Sequence, residues 1–254
     1  MSEVPYTPPP PPVLPPPTAP PPPPPSVPPT GPAKPQFDFG KPFTYVFDDP
    51  EWLQKILIGG LFYLAGFVII GWFFIFGYVA KTTRNVIAGH DRPLPEWDNL
   101  GDYFNEGLRL FGVAFVLVLP IVALAMAIMI PAGILSSVDN EGVAFLGSTL
   151  AGCLSCLIVP LSLAVMFFMP GCLLFAAVEQ RFGAAFEFGR IWSFIKTNIG
   201  NYLLAFVVYL IARTIGGFGI MLLCIGVIFT AFWAFLISAH AFGQVYRLAT
   251  TPKA

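Results

Sequence analysis

Long apolar intervals, separated by short connections that carry nearly all the charge, set the first expectation for this chain. No Asp, Glu, Lys or Arg lies between Glu141 and Glu179, and only Arg213 lies between Lys196 and Arg247. A soluble helix keeps one polar face toward water. At the centre of a membrane helix a Lys, Arg or Asp costs about 2.5–3.5 kcal/mol, whereas Leu, Ile, Phe and Val are favoured. The pattern predicts an all-α polytopic transmembrane helical bundle with about five crossings, near residues 56–80, 110–135, 157–178, 199–215 and 220–241. Pro160 and Pro170 interrupt the long third interval, so a half-helix or kinked start is expected before its crossing. Arg213 and Gly216–Gly219 read as a hairpin tip. Glycines at 59, 60, 66, 71 and 77 suit close backbone packing in lipid.

Two connections carry a helical period of their own. Trp97, Leu100, Phe104, Leu108 and Phe111 share one face of a helix, and Asp98, Asp102, Glu106 and Arg109 share the other. Pro95 suits the first position of that helix. Interfacial amphipathic helices are therefore expected near 96–109 and 182–198. A gapless offset of 91 residues places Glu96 on Glu187, Trp97 on Phe188 and Leu108 on Ile199. That correspondence suggests a duplicated unit of span, surface helix and span.

Basic residues test the layout. With the 81–109 and 179–198 connections and the C-terminal tail on one side, 9 of the 13 Lys and Arg fall there and 4 (Lys34, Lys41, Lys55 and Arg213) fall opposite. The rich side is expected to be cytoplasmic. One conflict arises: a single crossing over 56–80 exports the N-terminal segment, unless that glycine-rich stretch is re-entrant.

Composition adds a separate first segment. Residues 1–35 hold 19 of the 28 prolines and only Glu3 and Lys34 as charges. Proline lacks an N–H and fixes φ, so a disordered tail sampling polyproline II is expected, acting as a spacer or as a docking strip for an aromatic-lined groove. Residues 36–55 form a juxtamembrane segment and 56–248 the helical membrane domain. The chain is 56% hydrophobic and 11% charged, with a formal net charge of −1, which leaves no basic footprint for nucleic acid.

Candidate chemistry is sparse. Cys153-x-x-Cys156 has the spacing of a redox or zinc pair, but no positive charge is near in sequence, and buried packing is expected. Asp98, Asp102 and Glu106 stack at four-residue intervals and could hold a divalent cation; the plain alternative is a solvated face with Arg109 pairing to Glu106. Arg213 reads as an interfacial anchor and His240 as an interfacial, hydrogen-bonded histidine. No GxSxG, HExxH or phosphate-loop pattern is present, so no enzyme, catalytic residue, metal or cofactor is expected.

Gly77-Tyr78, Arg84-Asn85, Leu94-Pro95-Glu96-Trp97-Asp98 and Gly107 together resemble the domain of unknown function 4013 family, over about residues 50–248. The resemblance implies a multi-spanning helical protein of the prokaryotic cell (inner) membrane and brings no activity. The expectation is an integral membrane protein acting as a non-enzymatic scaffold. Its partners would be the lipid bilayer, a reader of proline-rich motifs at residues 1–35 and a second copy of itself. The alternative is a small transporter or channel built from the duplication.

Overall fold

The computed structural model describes residues 36–221 and 226–251. The proline-rich tail expected over 1–35 lies outside the described residues. Those described are helical and contain no strand: α1 (Lys41–Thr44), α2 (Trp52–Ala65), α3 (Ile70–Ala88), α4 (Leu100–Ser136), α5 (Glu141–Glu179), α6 (Phe188–Thr197), α7 (Ile199–Phe218) and α8 (Gly226–Thr250). Four stretches, Leu100–Ser136, Glu141–Glu179, Ile199–Met221 and Gly226–Thr250, are long and apolar enough to cross a membrane.

The stretch expected to cross once over 56–80 is instead a hairpin. The 14 residues of α2 rise about 21 Å, short of the roughly 30 Å hydrocarbon core. A 3₁₀ turn over Gly66–Val68 follows, and Ile69 turns the chain at φ 68, a conformation rare for a β-branched residue. The return is tight because Gly71 has no side chain; a Cβ there would sit 1.9 Å from the Phe62 carbonyl oxygen. Phe62 and Phe74 stack at 4.5 Å across the hairpin. Phe67, Val68, Ile69 and Ile70 at its tip face outward, as lipid contact requires. The chain thus leaves this region on the side it entered. Of the 11 basic residues described, ten lie toward that base face, and Arg213 stands alone.

Of the half-helix or kinked start expected for the third region, the separate half-helix is not found among the described residues. α5 is one helix of 39 residues with Pro160 and Pro170 inside it, and α4 has 37 with Pro120 and Pro131 inside. The two pair along their length, from Gly147 against Leu135 down to the crevice where Leu110 faces Met169. Proline inside a spanning helix is tolerated where a neighbouring helix packs against the freed backbone groups.

The first connection also differs from its expectation. Residues 94–99 are not helical; α4 begins at Leu100, capped by Asn99, whose side-chain oxygen accepts the Asp102 N–H. Residues 100–109 continue straight into the span. Its buried stripe is Tyr103, Gly107 and Leu110, while Leu100 and Leu108 face outward, so the inward face is rotated from the expected one. The second connection holds a 3₁₀ turn (Phe182–Phe186) and α6, separated from α7 by Asn198. The glycine turn expected after Arg213 is displaced as well, since α7 runs through Gly216 and Gly217 to Phe218.

Two apolar clusters hold the bundle. One joins Tyr45, Ile75, Tyr78, Tyr103, Phe232 and Leu236 under the hairpin. The other joins Cys172, Ile191, Ile195, Tyr202, Val208 and Phe242 between α5 and the last two helices.

Candidate functional site at the hairpin base

The residues singled out between Gly77 and Gly107 converge on one place, where the α2–α3 hairpin closes against the start of α4. Gly77 and Gly107 are the contact itself: a Cβ on Gly77 would lie 2.0 Å from the Tyr103 carbonyl oxygen, and one on Gly107 1.5 Å from that of Phe73. Such close approach of backbones is the use small residues have in lipid. Tyr78 is wholly buried, donates its hydroxyl to the Pro95 carbonyl at 2.9 Å and stacks on Trp97 at 4.1 Å. The Trp97 indole N–H donates to the Lys55 carbonyl at 3.2 Å. The Tyr103 hydroxyl takes the Glu96 carbonyl. These bonds hold the Pro95 and Glu96 carbonyls within a non-helical turn, and α4 starts only at Leu100.

Asn85 donates to the Pro93 carbonyl at 2.9 Å and precedes Gly89, which ends α3 at φ 80. Leu94 is buried beneath the turn. Arg84 forks onto Glu106, with Nη2 2.6 Å from Oε2, and Nη1 also donates to the Ala177 carbonyl at 3.0 Å. One guanidinium thereby ties α3 to α4 and satisfies a carbonyl in the last turn of α5. Asp98 is exposed at the turn.

Below them is a buried charge group that the sequence reading missed. Lys55 Nζ lies 2.8 Å from Asp49 Oδ2 and 2.5 Å from Glu96 Oε1; the Lys55 and Asp49 side chains are only 4% and 5% exposed, and Glu96 is 58% exposed. Burial alone would lower the Lys55 ammonium, but hydrogen bonds and charge from Asp49 and Glu96 hold it above the usual lysine value. The one signal in sequence was an acid six residues before a lone lysine at the edge of an apolar run.

The three stacked acids do not gather. Glu106 turns to Arg84 and not to Arg109, Asp102 belongs to the Asn99 cap, and Asp98 stands apart. No three His, Cys, Asp or Glu come together as metal ligands among the described residues. Cys153 and Cys156 face outward from α5, contrary to the expected burial, because that part of the helix has only α4 beside it; Cys172 is buried, and Cys224 lies outside the described residues. His240 is buried, its ring 4.4 Å from that of Tyr45 and its Nδ1 3.0 Å from Gln244 Nε2. Gln244 in turn bonds the backbone of Asp38, docking the segment before α1 onto α8.

At the base of α5 a second charge group is exposed. Arg181 bridges Glu179 at 2.8 Å and Glu187 at 2.6 Å, and Arg190 reaches both acids. Hydrogen bonds from Arg181, then Arg190, hold the Glu187 carboxyl below its ordinary value.

The family model described as a protein of unknown function (DUF4013) matches residues 60–249, and the chain belongs to that family. No curated protein and no solved structure matches it.

Proposed function

We propose that this DUF4013 member is a non-enzymatic scaffold of the prokaryotic cell membrane that presents its base face, and the proline-rich tail before Gln36, to cytoplasmic partners. The observation that carries this is the return of the α2–α3 hairpin. It brings Gln36, the 89–99 turn, the 180–198 connection and the end of α8 to one face, where ten of the 11 described basic residues lie. The positive-inside bias supports reading that face as cytoplasmic. Most of the residues that carry the family resemblance make contacts within the hairpin base, as parts of a lock, which supports a structural role for them.

Interrupted helices line binding sites in transporters, and the broken α2–α3 pair favours a small transporter as the second reading. Its weakness is the apolar interior: the crevice among α3, α4, α5, α7 and α8 offers only Thr83, Ser238, Tyr209 and Arg213 as polar side chains.

Single cysteines at Ser2, Asp91, Asp139 and Arg190 in a cysteine-free background test the topology with an impermeant thiol reagent on intact cells. Ser2, Asp91 and Arg190 should be protected and Asp139 labelled. Labelling of Ser2 with protection of Asp91 would overturn the shared face. Deleting residues 1–35 should leave insertion intact and remove a cytoplasmic partner from crosslinked pull-downs; unchanged partners would remove the docking role.

A further inference from the structure

Arg213, an exposed residue, lines an apolar crevice of about 220 Å³ between the α4–α5 and α7–α8 hairpins, with α3 as a further wall. The walls include Leu110, Met169, Leu173, Phe235 and Phe242. Of the three hydroxyls in the lining, two are used within their own helices, Thr83 donating to the Val79 carbonyl at 2.8 Å and Ser238 to the Ala234 carbonyl at 2.8 Å, and the third belongs to Tyr209. The interior therefore offers an occupant little beyond hydrocarbon contact. The guanidinium is held over the opening by two rings, 5.9 Å from the Tyr209 centroid and 5.6 Å from that of Phe235. Among the described residues, no carboxylate lies within 4 Å of it.

An unpaired cation within a membrane helix asks for an anion, and the crevice beside it asks for a hydrocarbon chain. We infer that this crevice is a lipid site: one acyl chain of an anionic phospholipid lies between the two hairpins, and its phosphate pairs with Arg213. Charge complementarity selects the anionic lipid over a zwitterionic one, whose own ammonium partly neutralises its phosphate. A guanidinium also matches a phosphate bidentately where an ammonium does not. The leaflet is the one opposite the base face, because Arg213 lies in the half of α7 nearer its far end.

The full-length protein in nanodiscs, with either phosphatidylglycerol or phosphatidylcholine carrying a diazirine in the acyl chain, provides the test. Peptides containing Met169–Leu174 and Phe235–Phe242 should be labelled by the glycerol lipid about tenfold more than by the choline lipid. Arg213→Gln should bring the two to equality, and Arg213→Lys should keep part of the preference. Should Arg213→Gln not insert, Ser238→Phe narrows the crevice with Arg213 in place and should remove the label. Equal labelling of the wild type by both lipids, undiminished labelling of Ser238→Phe, or loss of labelling on adding glycerol phosphate would each overturn the site; the last would mark a free-anion site.

Discussion

Replacing Lys55 by Met isolates what the buried charge group contributes. The substitution keeps length and apolar stem and removes the ammonium, leaving the Asp49 carboxylate 5% exposed with no cation. Breaking one member of a buried pair costs about 3–5 kcal/mol, because the remaining charge stays desolvated. Glu96→Gln removes the other partner, yet that side chain is 58% exposed and the change should cost no more than about 1 kcal/mol. Asp49 also accepts the Glu51 N–H through Oδ1 at 2.8 Å. The double variant Lys55→Met, Asp49→Asn keeps an oxygen for that bond while abolishing the stranded charge, and should regain more than half of the loss. Thermal unfolding of the detergent-solubilised protein, followed by tryptophan fluorescence, reads all three. Trp97 reports directly, since its indole is bonded to the Lys55 backbone. The single variant should lower Tm on the order of 10 °C. Equal shifts for Lys55→Met and Glu96→Gln, or a double variant no better than the single, would refute the account.

Gly77→Ala and Gly107→Ala each drive a Cβ into a carbonyl oxygen of the facing helix, so α3 and α4 must separate. Both should reduce the yield of monodisperse protein in size-exclusion chromatography, whereas Gly101→Ala, with open space around it, should not; equal behaviour of the three would contradict the contact. The Glu187 carboxyl is held low by Arg181 and Arg190, so the stability it lends is present above its unfolded pKa and disappears as pH falls through the folded value. Protection factors across α6, taken relative to the intrinsic exchange rate at each pH, should therefore fall as pH drops below the ordinary glutamate range, and the fall should be smaller in Glu187→Gln.

The all-helical membrane class was legible because charge is excluded from long intervals, a one-dimensional signal. Where each span turned was less so. Residues 56–80 read as one crossing because their length fits, with re-entrance left open by the charge layout; what breaks them is a pair of local events, φ 68 at Ile69 and the missing side chain at Gly71, neither of which alters hydropathy. The prolines misled in the opposite direction: Pro160 and Pro170 signal a break in water, but α4 pairs alongside and the helix runs on. For the site, the cluster from Gly77 to Gly107 was visible as a motif, and its role as a lock was not. That role depends on carbonyls of Lys55, Pro95 and Glu96, and backbone acceptors carry no residue identity. Lys55 escaped notice for a related reason, since its partners lie 6 and 41 positions away.

The returning hairpin also has a meaning for how the protein is made. On the cytoplasmic orientation proposed above for the base face, each long helix pair would enter lipid as a closed unit whose two ends stay on the side of synthesis, and the α2–α3 pair would not commit its ends to the other side. Apart from helix termini, insertion then has to translocate only the short link around Ser137–Asn140 and the one joining α7 to α8. On that orientation the basic connections would not pass through the translocation channel, and assembly could proceed pair by pair from the base face.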